Sequence, residues 1–154
     1  MSKKSAGIIC YRFNSNNELQ VLLVHPGGPF FQNKDAGVWS VPKGEYSDQE
    51  DPHKSAIREF YEETGNRISG HDFITLEPVK IKSGKIIQTW AIEEDFEPAY
   101  ISSNTFEVEW PPRTGIVKSY PEADKAEWFL TEDAKIKIHP GQLAIILQLE
   151  ALLL

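Results

Sequence analysis

The sequence predicts an α/β (α+β) chain, a mixed β-sheet sandwiched between α-helices. Runs rich in β-branched and aromatic residues recur from residue 5 to residue 130, separated by turn-forming Asn, Ser, Gly and Pro. Among them sits one sharply punctuated helix, opened by Asp51-Pro52 and closed by Thr64-Gly65. The last residues, 141–154, carry Leu143, Ile146, Leu147, Ala151 and Leu154 at helical spacing.

Each element follows from local chemistry. Residues 5–13 and 19–25 flank Asn14-Ser15-Asn16-Asn17 and read as a hairpin. His25-Pro26-Gly27-Gly28-Pro29 opens an irregular loop that ends at Trp39-Ser40-Val41, a short strand closed by Pro42, and Gly44 begins another loop. Asp51 is the expected N-cap and Pro52 the first residue of a helix over 52–64 with an apolar stripe of Ala56, Ile57 and Phe60. Residues 73–81 and 86–93 face each other across Ser83-Gly84, and residues 106–110 and 126–130 read as later strands. Thr131 is the expected cap of a short helix through Ile136. No repeat, low-complexity tract or linker divides the chain, so residues 1–154 are expected to form a single domain.

Composition narrows the function. With 40% hydrophobic residues in 154, one core is sustainable, and a net charge of -7 argues against a broad DNA-binding or membrane surface. Cys10 is the lone cysteine, which excludes an internal disulfide and suits a reducing, cytoplasmic setting. No signal peptide is expected, because Lys3 and Lys4 precede only a short apolar run with no small-residue cleavage site, and no membrane span, because Gln148 and Glu150 break the longest apolar stretch.

The most informative feature is acidic. Glu59, Glu62 and Glu63 lie at i, i+3 and i+4, so at about 100° per residue their carboxylates share one face and repel. Glu62 and Glu63 also stand at the negative end of the helix dipole. Only Arg58 offers a local counter-charge to Glu62. A stretch that violates local rules twice in one turn points to function, and the natural counter-charge is a divalent cation. On the helical wheel Glu59 and Glu63 flank the apolar stripe, at the margin of the core.

These residues complete a pattern. Gly44, Glu50, Arg58, Glu59, Phe60, Glu62, Glu63 and Gly65 match G-x5-E-x7-R-E-U-x-E-E-x-G-U with U apolar, and the chain thereby resembles the MutT-like Nudix hydrolases over a box at 44–66. Asn66 departs from it, standing where the family has an apolar residue. Trp39-Ser-Val-Pro-Lys-Gly-Glu45, the stretch from Ser102 to Pro112 and Phe129 after Trp128 resemble a bacterial branch usually described only as predicted nucleoside triphosphate pyrophosphohydrolases. The Pro42-Lys43-Gly44 start is similar to that of diadenosine tetraphosphate hydrolases, whose post-box tyrosine has no counterpart in Ile81-Lys82-Ser83-Gly84.

The resemblance implies the Nudix fold and a Mg²⁺- or Mn²⁺-dependent cleavage of a diphosphate linkage in a nucleoside diphosphate bound to another moiety. A (di)nucleoside polyphosphate or nucleoside triphosphate is the first expectation. It implies Glu59 and Glu63 as direct metal ligands, Glu62 as ligand of a further ion or of a metal-bound water, and the Lys43 backbone carbonyl as another ligand. Arg58 and Glu50 become partners that orient the ligands, with Gly44 at the head of the box. Glu122, six residues before Trp128, is the candidate general base or additional ligand, in competition with Glu107, Glu109 and Glu127. Lys43 and Arg113 are candidate phosphate contacts and Trp110 a candidate base-stacking surface; no histidine shows metal-ligand spacing. The alternatives are a non-catalytic nucleotide-sensing module, or an enzyme for another diphosphate such as a nucleotide sugar. The expected partner is a small-molecule nucleotide, with no DNA and no membrane, and the chain is expected to be a monomer or homodimer.

Overall fold

A computed structural model describes residues 3–98 and 104–154. Its centre is a seven-stranded mixed sheet. Strands β1 (Lys4–Phe13) and β2 (Leu19–Pro26) form the expected hairpin, and β1 pairs on its other side, in parallel, with β6 (Ile86–Glu93). The antiparallel edge beyond β2 is β9 (Ala123–Leu130). At the opposite side β4 (Ile74–Thr75) and β5 (Val79–Lys80) both pair with β6, and β3 (Lys43–Glu45) pairs with the start of β1. β7 (Thr105–Glu109) and β8 (Val117–Pro121) form a separate ribbon.

The central strand is apolar on both parities because both sheet faces are covered. Ala6, Ile8 and Cys10 of β1 join Leu22, Ala126, Ala56 and Phe60 beneath α1 (Pro52–Thr64). Ile9 and Tyr11 point the other way, into a cluster closed by α2 (Thr131–Lys137) and α3 (Leu143–Leu153). The helix–sheet–helix sandwich is therefore as expected, and no described helix is long and apolar enough to cross a membrane.

Several local expectations are corrected. The short strand sits at β3, not at 39–41: Trp39 and Ser40 make only isolated bridges to Ile138 and Val24, while Lys43, Gly44 and Glu45 pair with Gly7, Ala6 and Ser5. Strand propensity is low in Lys-Gly-Glu, but the open flank of β1 supplies the partners. The expected strand over 73–81 is broken at its middle, where the Gln148 side chain both accepts from the Glu77 N–H and donates to its carbonyl, and Pro78 has no N–H to contribute. β8 was not expected, because its polar, exposed residues show no alternation; β9 begins three residues early for the same reason. Thr131 is the first residue of α2 rather than its cap, which is Leu130 with no side-chain cap bond. Ser102 and Ser103, part of the stretch noted above, lie outside the described residues.

The helix that matters is built as its sequence dictates. Asp51 accepts from the Lys54 N–H at 2.9 Å, Pro52 opens the first turn, and Gly65 ends the helix in the left-handed region at φ 72° with its N–H on the Tyr61 carbonyl. Asn66, in its unusual place, seals the exit with polar groups: its N–H donates to Thr64 Oγ1 and its amide to the Thr64 carbonyl.

Candidate active site

Helix α1, strand β3 and the β8–β9 junction bring the site together. Arg58 is the organiser of its outer half. Its guanidinium donates to Glu50 Oε2 at 2.8 Å and to Glu59 Oε1 at 3.2 Å, and its Nε lies 3.6 Å from Glu62 Oε1. Glu50 also accepts from the Ser47 N–H at 2.9 Å. Together, Arg58 first and Ser47 next, these donors pull the Glu50 carboxyl down to about 2. The loop before α1 is thus pinned to the guanidinium that orients two of the three helix glutamates.

The inner half is under electrostatic tension. Glu59 is 15% exposed, and burial, reinforced by the neighbouring charges of Glu62 and Glu122, raises its pKa against the hydrogen bond from Arg58. Glu63 goes further: burial pushes it up to about 8, with Glu59 and Glu122 adding to the shift while Lys43 opposes it through its ammonium and its backbone N–H. Lys43 is itself lowered, first by burial and then by Lys85, against the pull of Glu63, Glu45 and Glu59. Two carboxylates short of positive charge, facing one half-buried lysine, form an anionic recess that a cation relieves.

Gly44 supplies the room. A Cβ there would overlap the Glu59 carboxylate, so only glycine lets β3 pass this close to α1. The junction residue Glu122 is exposed, but its backbone is fixed: its N–H donates to the Asn104 carbonyl at 2.8 Å and its carbonyl accepts from the Gly27 N–H at 3.0 Å. From there its charge acts on both Glu59 and Glu63.

The other two named residues lie elsewhere. Trp110 packs edge-on against Phe30, ring centroids 5.3 Å apart, and Arg113 lies in the β7–β8 turn with its N–H on Glu109. Neither makes a hydrogen bond or ion pair with the box glutamates. Sequence reasoning missed the side chains that frame the surface beyond Glu122. His25 is buried with Nδ1 2.8 Å from Asp124 Oδ1 and Nε2 2.7 Å from the Lys34 carbonyl, tying the loop after β2 to β9. Arg12 shares the α1-facing parity of Ala6, Ile8 and Cys10, and a charge on a core-facing parity was the available signal.

Among the described residues no three His, Cys, Asp or Glu side chains are gathered tightly enough to hold an ion alone. The donor set nevertheless fits a hard cation of the Mg²⁺ kind, which keeps several waters and is held by one or two carboxylates plus substrate oxygens. Glu59 and Glu63 are those two, and their uncompensated charge is the reason they fit.

Comparison with known proteins agrees with this architecture. Residues 2–149 match the NUDIX domain. The chain belongs to the Nudix family. Human diphosphoinositol polyphosphate phosphohydrolase 2 is 30% identical over 136 residues, covering 86% of this chain and 60% of that protein, so the chain spans about three fifths of the length of this relative. The NUDIX domain of Shewanella oneidensis NrtR, solved with ADP ribose, superposes with a TM-score of 0.70 at 15% identity, covering 100% of this chain and 90% of that one. C. elegans Ap4A hydrolase does so with a TM-score of 0.62 at 22% identity over the full length of both. At these identities the structural likenesses establish the Nudix fold.

Proposed function

We propose that this chain is a Nudix pyrophosphohydrolase, dependent on Mg²⁺ or Mn²⁺, that cleaves a diphosphate linkage in a (di)nucleoside polyphosphate or nucleoside triphosphate. The observation that carries the reading is the anionic recess of Glu59 and Glu63, held open by Gly44 and oriented by Arg58. A bound divalent ion would neutralise the diphosphate oxygens and lower the pKa of the attacking water. Glu59, Glu63 and the Lys43 backbone carbonyl would hold the ion, and Glu62 would hold a further ion or a water on it. The Lys43 ammonium, beside the same recess, faces the phosphate chain. Glu122 takes the proton of the attacking water, since it is the solvent-exposed carboxylate whose charge reaches both ligand glutamates. Curated relatives named as phosphohydrolases, and the Ap4A hydrolase among the structural neighbours, support the reaction class.

Diadenosine tetraphosphate is the first substrate to test. Cleavage to ATP and AMP is expected, and mass analysis of products formed in oxygen-18 water identifies the phosphorus attacked. No cleavage at high enzyme concentration, with good activity on a nucleoside triphosphate or nucleotide sugar, would remove the dinucleotide and keep the reaction class.

Gly44→Ala tests the recess separately from the fold. The atoms a new Cβ would meet are the end of a flexible side chain, so Glu59 swings aside at little cost to stability. The expected result is a fall in kcat of about a hundredfold or more with a melting temperature close to wild type. Unchanged kcat would show that the position of the Glu59 carboxylate does not matter.

A further inference from the structure

A cavity of about 570 Å³ opens at the free edge of the sheet, along β9. Its walls include Arg12, Glu97, Asp124, Lys125, Glu127 and Trp128. The volume is in the range of small-ligand sites. Its near end, Asp124, is two residues along the chain from Glu122, whose charge acts on Glu59 and Glu63. The far end is a prepared planar platform. The Arg12 guanidinium lies 4.3 Å from the centre of the Trp128 ring, and four acceptors hold it there: Gln20 Oε1 at 2.8 Å, Asp95 Oδ1 at 3.0 Å, Glu97 Oε1 at 3.3 Å and the Phe96 carbonyl at 3.4 Å. The Trp128 indole N–H donates to the same Phe96 carbonyl at 2.8 Å, and Phe96 packs between Trp128 and Phe60 of α1.

The charge on these walls selects the occupant. Two cations face three carboxylates. Arg12 is already paired with Asp95 and Glu97, and the Lys125 ammonium rests 5.5 Å from the Trp39 ring centre. A group carrying several phosphates finds no unpaired cation beside Trp128, because Arg12 is committed and Lys125 shares the opposite face of β9 with His25 and Leu23. A neutral, flat group with N–H and O–H donors meets a stacking surface and acceptors. We propose that this cavity is the nucleoside subsite: the base stacks on the Arg12–Trp128 platform, the carboxylates accept from base amino or ribose hydroxyl groups, and the phosphates run past Asp124 to the glutamates. The proposal rests on the diphosphate-hydrolase reading for where the phosphates lie, and it excludes a densely phosphorylated inositol ring as the group bound along β9.

The test is calorimetric titration, with excess Mg²⁺, of two uncleavable probes: α,β-methylene-ADP and bare methylenediphosphonate. The nucleoside probe should bind wild type at least about tenfold more tightly. Arg12→Lys and Trp128→Leu should each weaken that probe by about tenfold and leave the bare probe within about twofold. Arg12→Lys keeps a positive charge near Asp95 and Glu97 while removing the plane and the Nε–H bond to Gln20, so it carries the test if Trp128→Leu does not fold. Equal affinity for both probes, variants that leave the nucleoside probe unaffected, or tighter binding of inositol hexakisphosphate would overturn the proposal. Turnover of a diphosphate alongside any of these sinks the subsite alone, whereas nucleoside-dependent binding with no turnover of any diphosphate sinks the hydrolase reading and keeps the subsite.

Discussion

Glu63→Gln is expected to abolish turnover while the fold survives. The amide preserves shape but supplies no charge to a hard cation. It also removes a carboxylate that the metal-free protein holds under strain. Burial raises the folded Glu63 pKa from 4.5 to about 8, so its contribution to stability is complete below the unfolded value and is lost as pH rises through the folded one. Between pH 5 and pH 9 in chelator, wild type should therefore lose on the order of a few kcal/mol more than Glu63→Gln, which has no proton to release. Urea denaturation across that range measures the difference. Near-normal turnover of the variant at saturating Mg²⁺ would refute the ligand assignment, and parallel stability curves would refute the buried charge.

Mg²⁺ or Mn²⁺ is expected to raise the melting temperature of wild type strongly. An ion that binds the folded recess and not the unfolded chain adds about 2.7 kcal/mol at a hundredfold excess over its dissociation constant. For a chain of this size that is a shift of roughly 5–10 °C. The shift should disappear in the Glu59→Gln, Glu63→Gln double variant, whose recess has lost both charges. Metal affinity should also rise with pH up to about 8, because the ion displaces a proton from Glu63. Thermal melts with and without metal at pH 6 and 8 read both effects; an equal shift in the two proteins would place the ions elsewhere.

What could be read in advance was whatever depends on near neighbours along the chain. The Asp51-Pro52 start, the Gly65 stop and the shared face of Glu59, Glu62 and Glu63 are set by spacing within a few residues, and each appears as expected. The hairpin of β1 and β2 and the doubly covered central strand are equally local, since they follow from turn chemistry and from apolar residues on both parities. The tertiary structure decided what depends on partners far away in sequence. Lys43–Glu45 became a strand because β1 had an unpaired flank, and Glu77 and Pro78 left theirs because Gln148 of α3 captured Glu77, while the Leu76 N–H stayed on the Thr89 carbonyl of β6. The β8–β9 junction fixes the Glu122 backbone where its charge acts on Glu59 and Glu63. Glu63 owes its raised pKa to burial against β3, and Arg12 meets Trp128 across three strands. Spacing determines which side chains share a face; only packing determines how dry that face is and which distant charge it meets.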